Sequence, residues 1–93
     1  MEIEYDVNKR KQTLEQRGLD FKQCIEVFNG PHINFPDNRM NYGEERIITF
    51  GFLDGREVVL VWTERGNKRR IISMRKANER EQYTFKQYLD RSG

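Results

Sequence analysis

The run Val58-Val59-Leu60-Val61-Trp62 constrains the fold of this chain more than any other feature. Five apolar residues in a row, with no polar residue between them, suit a strand covered on both faces at the centre of a sheet. Turn signals bracket it: Asp54-Gly55 before and Gly66-Asn67 after. Strands are therefore expected near Ile47 to Phe52 and from Arg69 to Met74, and the turn spacing makes the three an antiparallel meander. A length of 93 residues, 35% of them apolar, supports one compact core and not two. Residues 1–93 thus read as a single domain.

Helical signals flank the meander. Asp6 can cap a first helix of about ten residues that ends at Gly18, with Val7 and Leu14 as a thin apolar stripe. Asp20 and Gln23 have capping-box spacing for a second helix. Leu19 can staple onto Cys24, and Phe21, Cys24, Ile25 and Phe28 recur at helical spacing until Gly30-Pro31 ends the pattern. A short extended stretch at Ile33 to Phe35 and a polar loop from Asp37 to Gly43 follow. Asn78 and Glu81 repeat the capping-box spacing before a final helix whose Ala77, Phe85, Tyr88 and Leu89 can reach the core. The expected fold is α+β, with two N-terminal helices packed on a small antiparallel β-meander and a C-terminal helix.

Composition removes several function classes. Charged residues make up 34%, and no apolar run approaches the roughly 18 to 20 residues of a membrane-spanning helix. The start, Met1-Glu2-Ile3-Glu4, lacks the pattern of a secretory signal, and one cysteine forms no internal disulfide, so the expected setting is the cytoplasm. Cys24, on an apolar helical stripe, reads as core packing. His32 is the sole histidine and reads as solvent-facing, and no metal-binding cluster, phosphate-binding glycine loop or serine nucleophile motif is present.

Charge is concentrated. Arg65, Lys68, Arg69, Arg70, Arg75, Lys76 and Arg80 stand against Glu79 alone, a balance of +6, while the remaining ten cations and fourteen acidic residues leave −4 elsewhere. Such a window is either a solvated basic face or a site for a polyanion. Its strand, turn and helix start would combine arginine side chains with the N–H groups of a helix N-terminus, a setting that favours phosphate. RNA cleavage needs little beyond phosphate binding. The neighbouring 2′-hydroxyl is an internal nucleophile, and the planar fork of arginine can hold two oxygens of the phosphorane. Arg75 carries the expectation most strongly, because it has no evident acidic neighbour in sequence. Glu81 reads equally as a helix cap, and Glu45 or Arg46 as part of a cross-strand bridge to Arg70.

Several spaced blocks, in order, resemble the BrnT family of toxins: Asp6 with Lys9, Gly18-Leu19-Asp20-Phe21, Asp37-Asn38-Arg39, Tyr42-Gly43-Glu44-Glu45-Arg46, Asp54-Gly55-Arg56, Thr63-Glu64-Arg65-Gly66, and Arg70 through Ala77 followed by Glu81. The resemblance implies a fold similar to RelE and a bacterial type II toxin acting as a ribonuclease that arrests translation, with mRNA the candidate substrate. It also implies neutralisation by a BrnA-like antitoxin, in an assembly of open stoichiometry. With no Cys/His cluster and no paired acidic residues at metal-binding spacing, no cofactor or metal is expected. Matched positions give Arg75, Arg70, Glu64 and Glu81 as candidate catalytic residues. They give Lys9, Arg39, Arg46 and Arg65 as RNA-binding candidates, joined by Lys68, Arg69, Lys76 and Arg80 of the basic window. Arg17 and Met40 stand where the family often has histidine, and Phe85 where it often has tyrosine, so imidazole and phenol chemistry at those places is missing. The competing readings are a non-catalytic nucleic-acid-binding module and a protein-interaction module, each using the basic 65–80 face.

Overall fold

The structure, a computed structural model, describes residues 1–92. The chain runs β1 (Glu2–Tyr5), α1 (Val7–Arg17), a 3-10 turn (Phe21–Gln23), α2 (Cys24–Asn29), β2 (Ile33–Pro36), β3 (Arg46–Leu53), β4 (Arg56–Arg65), β5 (Lys68–Lys76) and α3 (Glu79–Ser92). The three-stranded meander β3-β4-β5 forms as expected, with β4 at the centre. The sheet is larger than the expected meander, however. It has five strands in the order β1-β5-β4-β3-β2, because β2 adds antiparallel to β3 and β1 adds parallel to β5, which makes it a mixed sheet. No described helix is long and apolar enough to cross a membrane.

The β4 run is covered on both sides, as its lack of alternation requires. On the first face Val58, Leu60 and Trp62 join Leu53, Ile71 and Met74 beneath Leu19, Phe21, Cys24, Val27 and Phe28. On the second face Val59 and Val61 lie between the sheet and the outer layer that begins with α3, whose Phe85 packs on Phe50 and Phe52. Gly51 lets α2 approach β3, since a Cβ there would stand 2.5 Å from Cγ1 of Val27. Asp54 and Gly55 both take positive φ, the conformation a two-residue hairpin turn demands.

The helical expectations need three corrections. α1 is capped by the Asp6 carboxylate, which accepts from the N–H groups of Asn8 and Lys9, and it ends at left-handed Gly18. Yet Val7 and Leu14 are exposed, and α1 buries no residue. It is held by polar contacts instead: Arg10 forks onto Asp20, and Arg17 donates to the Met74 carbonyl at 2.9 Å. Second, the helix after Asp20 begins as a 3-10 turn, and Gln23 makes no reciprocal side-chain cap. That change of pitch rotates the buried stripe, so Val27 is fully buried and Ile25 is 37% exposed. Third, Tyr88 is 42% exposed rather than buried.

Candidate functional site

Register across the second sheet face places residues from four strands in two lateral rows. One row is Ser73, Val61, Ile48 and Phe35; the next is Arg75, Val59, Phe50 and Ile33. Above them, Glu81, Thr84 and Tyr88 fall on one stripe of α3, as their spacing of three and four residues dictates. Together with Arg39 from the β2–β3 loop, these surfaces enclose a cleft of about 440 Å³. Its floor is apolar, and Arg39 and Arg75 are its cations.

A bulge decides which cations share this face. Val61 pairs with Ser73 and Trp62 with Ile71, leaving Ile72 as the extra residue of β5. In a regular strand Arg70 and Arg75, five residues apart, would point to opposite faces. The bulge resets the alternation, so Arg70 stands opposite Thr63 on the same face as Arg75. Arg46 pairs with Thr63 from the other side, and Arg65 pairs with Lys68 one row further. A line of cations therefore continues from the cleft along the sheet: Arg75, then Arg70 with Arg46, then Lys68 with Arg65.

The ion pairs along that line fall into two kinds. Arg75 donates from Nη1 and Nη2 to the two carboxylate oxygens of Glu81, both at 2.7 Å, which corrects the expectation of an unpaired arginine. Strand, loop and helix bring together two residues that no local pattern links. Glu81 also forms the capping box, accepting from the Asn78 N–H at 2.9 Å while Asn78 accepts from the Glu81 N–H at 2.8 Å. The fork from Arg75 holds the Glu81 carboxyl below its ordinary range, so in neutral solution Glu81 is ionised and has no proton to donate. Arg39 forks likewise onto the buried Asp37, at 2.8 Å for each bond. Each fork fixes one edge of a guanidinium and leaves further N–H groups unengaged by the carboxylate. By contrast Arg46 and Arg65 share Glu44 at 3.5 and 3.6 Å, Lys68 meets Glu2 at 3.8 Å, and Arg70 meets Glu4 at 3.9 Å. These looser pairs are weak and can exchange onto another anion. The envisaged bridge from Arg70 to Glu45 or Arg46 is replaced by the pair with Glu4, and Arg46 lies over the Tyr42 ring at 4.0 Å.

The 65–80 window does not form one face, since alternation divides it. Arg69 points to the first face, where its guanidinium lies over the rings of both Phe28 and Trp62, at 4.5 and 4.4 Å. Lys76 stands opposite Val58 and lines a shallow depression with Gly55, Arg56 and Gln82. Arg80 is exposed on the first turn of α3. Lys9 is exposed on α1. Glu64 is exposed and lies on β4 five residues beyond Val59, the partner of Arg75, which is about 16 Å at roughly 3.3 Å per residue. The structure therefore does not bring Glu64 to the cleft. Cys24 is buried and its thiol is pushed up to about 12 by desolvation, consistent with packing. His32 is half-buried rather than solvent-facing, with its ring against Phe28 and Nδ1 2.8 Å from the Gly30 carbonyl oxygen. Tyr88 lines the cleft instead of the core that its sequence pattern suggests, and its spacing from Glu81 on the α3 stripe is the signal that marks it.

Asp37 anchors the loop that carries Arg39, and its carboxyl is lowered to about 2, first by the hydrogen bonds from Arg39. The folded value lies below the unfolded one of about 3.9, so this stabilisation is complete above that value and is lost as pH falls towards 2. Asp37→Asn should be less stable than the parent protein at pH 7. In urea melts the difference should shrink as pH drops from about 4 towards 2. A constant difference over that range would show that the carboxyl is not held so low.

Among the described residues, no three of His, Cys, Asp and Glu converge as metal ligands. No curated protein matches the chain. The model of the ribonuclease toxin BrnT of type II toxin–antitoxin systems matches residues 5–81, which takes in every strand of the cleft floor together with Arg39, Arg75 and Glu81. The chain thus belongs to the BrnT family of ribonuclease toxins.

Proposed function

We propose that the protein is an RNA endonuclease, acting in the cleft between α3 and the second sheet face without a metal ion: a ribose 2′-hydroxyl attacks the adjoining phosphate and loses its proton to water, the bond to the 5′-oxygen breaks, and that oxygen takes a proton from water. The observation that carries this reading is the pair of forked arginines. Arg39 and Arg75 are each oriented by a carboxylate, and both line one cleft with N–H groups left over from the fork. Two such preoriented donors suit the oxygens of one phosphate. They would bind it more tightly as it gains charge in a pentacovalent transition state, which supports a catalytic reading over a merely adhesive one.

In this reading Arg75 and Arg39 stabilise the phosphorane and Glu81 positions Arg75. Arg70, Arg46, Arg65 and Lys68 guide the flanking strand by exchanging their loose carboxylate partners for phosphates. The substrate is mRNA in the cytoplasm, and its loss arrests translation. A BrnA-like antitoxin, the partner that membership of a type II system implies, neutralises the toxin by covering the cleft with an acidic segment. The purified protein in excess EDTA should convert RNA to products ending in a 2′,3′-cyclic or 3′-phosphate and a 5′-hydroxyl. A single 2′-deoxy substitution at the cut site should abolish cleavage there. Loss of activity in EDTA, or a 5′-phosphate product, would defeat the mechanism, and RNA that binds without being cut would favour a binding module.

A further inference from the structure

We propose that the same cleft is a nucleotide-holding site, in which one base flanking the scissile phosphate is taken out of the stack and laid against Tyr88 and Phe35. This rests on the ribonuclease reading for the phosphate but adds a separate element, recognition of a base. Two arginines would suffice for phosphate alone, and they could stand on a flat polar surface. Here they border an apolar floor formed by Phe35, Ile48, Phe50, Val59 and Val61.

Two observations point to a flat aromatic occupant. The Tyr88 ring is 42% exposed although it meets Phe35 edge-on at 5.4 Å, so core packing leaves much of its surface uncovered. The cleft of about 440 Å³ lies within the roughly 300–1,000 Å³ typical of small-ligand sites. Arg75 is on β5 and Phe35 on β2, three strand spacings away, which is about 14 Å between backbones at roughly 4.8 Å per strand, and Arg39 enters from the loop after β2. Cations and aromatic rings therefore border one apolar floor between them. A nucleotide combines the two chemistries in one small ligand: an anion and a planar π-system. Aromatic side chains beside a cationic groove are how single-stranded nucleic acid is generally held, since every base has a face to stack.

The test uses a short uncleavable 2′-O-methyl RNA strand of two nucleotides, with an abasic residue placed in turn on each side of its single phosphodiester. Binding of the parent protein should weaken about 5- to 150-fold at one of the two positions, the range that stacking of one base provides. Tyr88→Leu should lose a similar factor on the intact strand and nothing further on that abasic strand. Tyr83→Leu, which alters a tyrosine 65% exposed and outside the cleft, should bind like the parent. Equal losses for Tyr88→Leu on intact and abasic strands, or no penalty for either abasic residue, would overturn the proposal and leave the apolar floor to a side chain of a protein partner. Because binding is read on a strand that cannot be cut, base coupling without cleavage of ordinary RNA would uphold the nucleotide site and refute the ribonuclease reading. Failure of the parent protein to bind the strand at all would refute both.

Discussion

Replacing Arg75 by alanine should reduce RNA cleavage by about 100-fold or more, the usual consequence of removing one preorganised donor to a developing oxyanion. The fold should survive. The Arg75–Glu81 pair is partly exposed, so its loss costs on the order of 1 kcal/mol or less, and Glu81 keeps its bonds with Asn78 at the helix start. Arg75→Lys should also be strongly impaired, since an ammonium cannot bridge both Glu81 oxygens and still present a second edge to phosphate. The measurements are kcat on a short RNA and the circular dichroism spectrum of each variant. An alanine variant that folds normally and cleaves at nearly the parent rate would remove Arg75 from the site.

The largest effect on stability should come from Phe85→Ala. Phe85 is 2% exposed and packs on Phe50 and Phe52, whereas Thr84 and Leu89 of the same helix are only half-buried. Truncating a buried phenylalanine costs about 3–5 kcal/mol, which in a domain of this size lowers Tm by roughly 12 °C or more. α3 carries Glu81 and Tyr88, so loosening it should also depress cleavage well below the parent rate. Thermal melts and amide exchange along α3 would check both effects. A Tm within about 4 °C of the parent would mean that α3 is anchored elsewhere.

The parts of this structure legible in the sequence are those encoded locally. The Val58–Trp62 run, the Asp54-Gly55 and Gly66-Asn67 turns, the Asp6 cap and the Asn78/Glu81 capping box each depend on residues close in sequence, and each forms. β1 was missed because four residues with alternating glutamates are too few for a periodic signal. The alternation has a meaning that only the sheet supplies: Ile3 and Tyr5 pack on the core while Glu2 and Glu4 meet Lys68 and Arg70. The site was harder to read. Seven cations in one window look like a single patch, but strand alternation sends Arg69 and Lys76 away from Arg75, and the Ile72 bulge returns Arg70 to it. No pattern in β5 announces that bulge. Likewise Arg75 looked free because its carboxylate partner comes from the helix beyond the next loop.

The parallel pairing of β1 with β5 also governs when the molecule can exist. It joins residues 2–5 to residues 68–71, so the first strand has no partner until residue 68 and those after it have been synthesised. The cleft depends on segments later still, since α3 forms its roof and Glu81 holds Arg75. Contacts of such long sequence separation form only after a large loop-closure cost has been met. A growing chain on the ribosome therefore lacks both the complete sheet and the arginine constellation until residues 68–81 have emerged, and it gains the two together. The candidate cleft is thus a late product of folding, and no shorter nascent segment can display it.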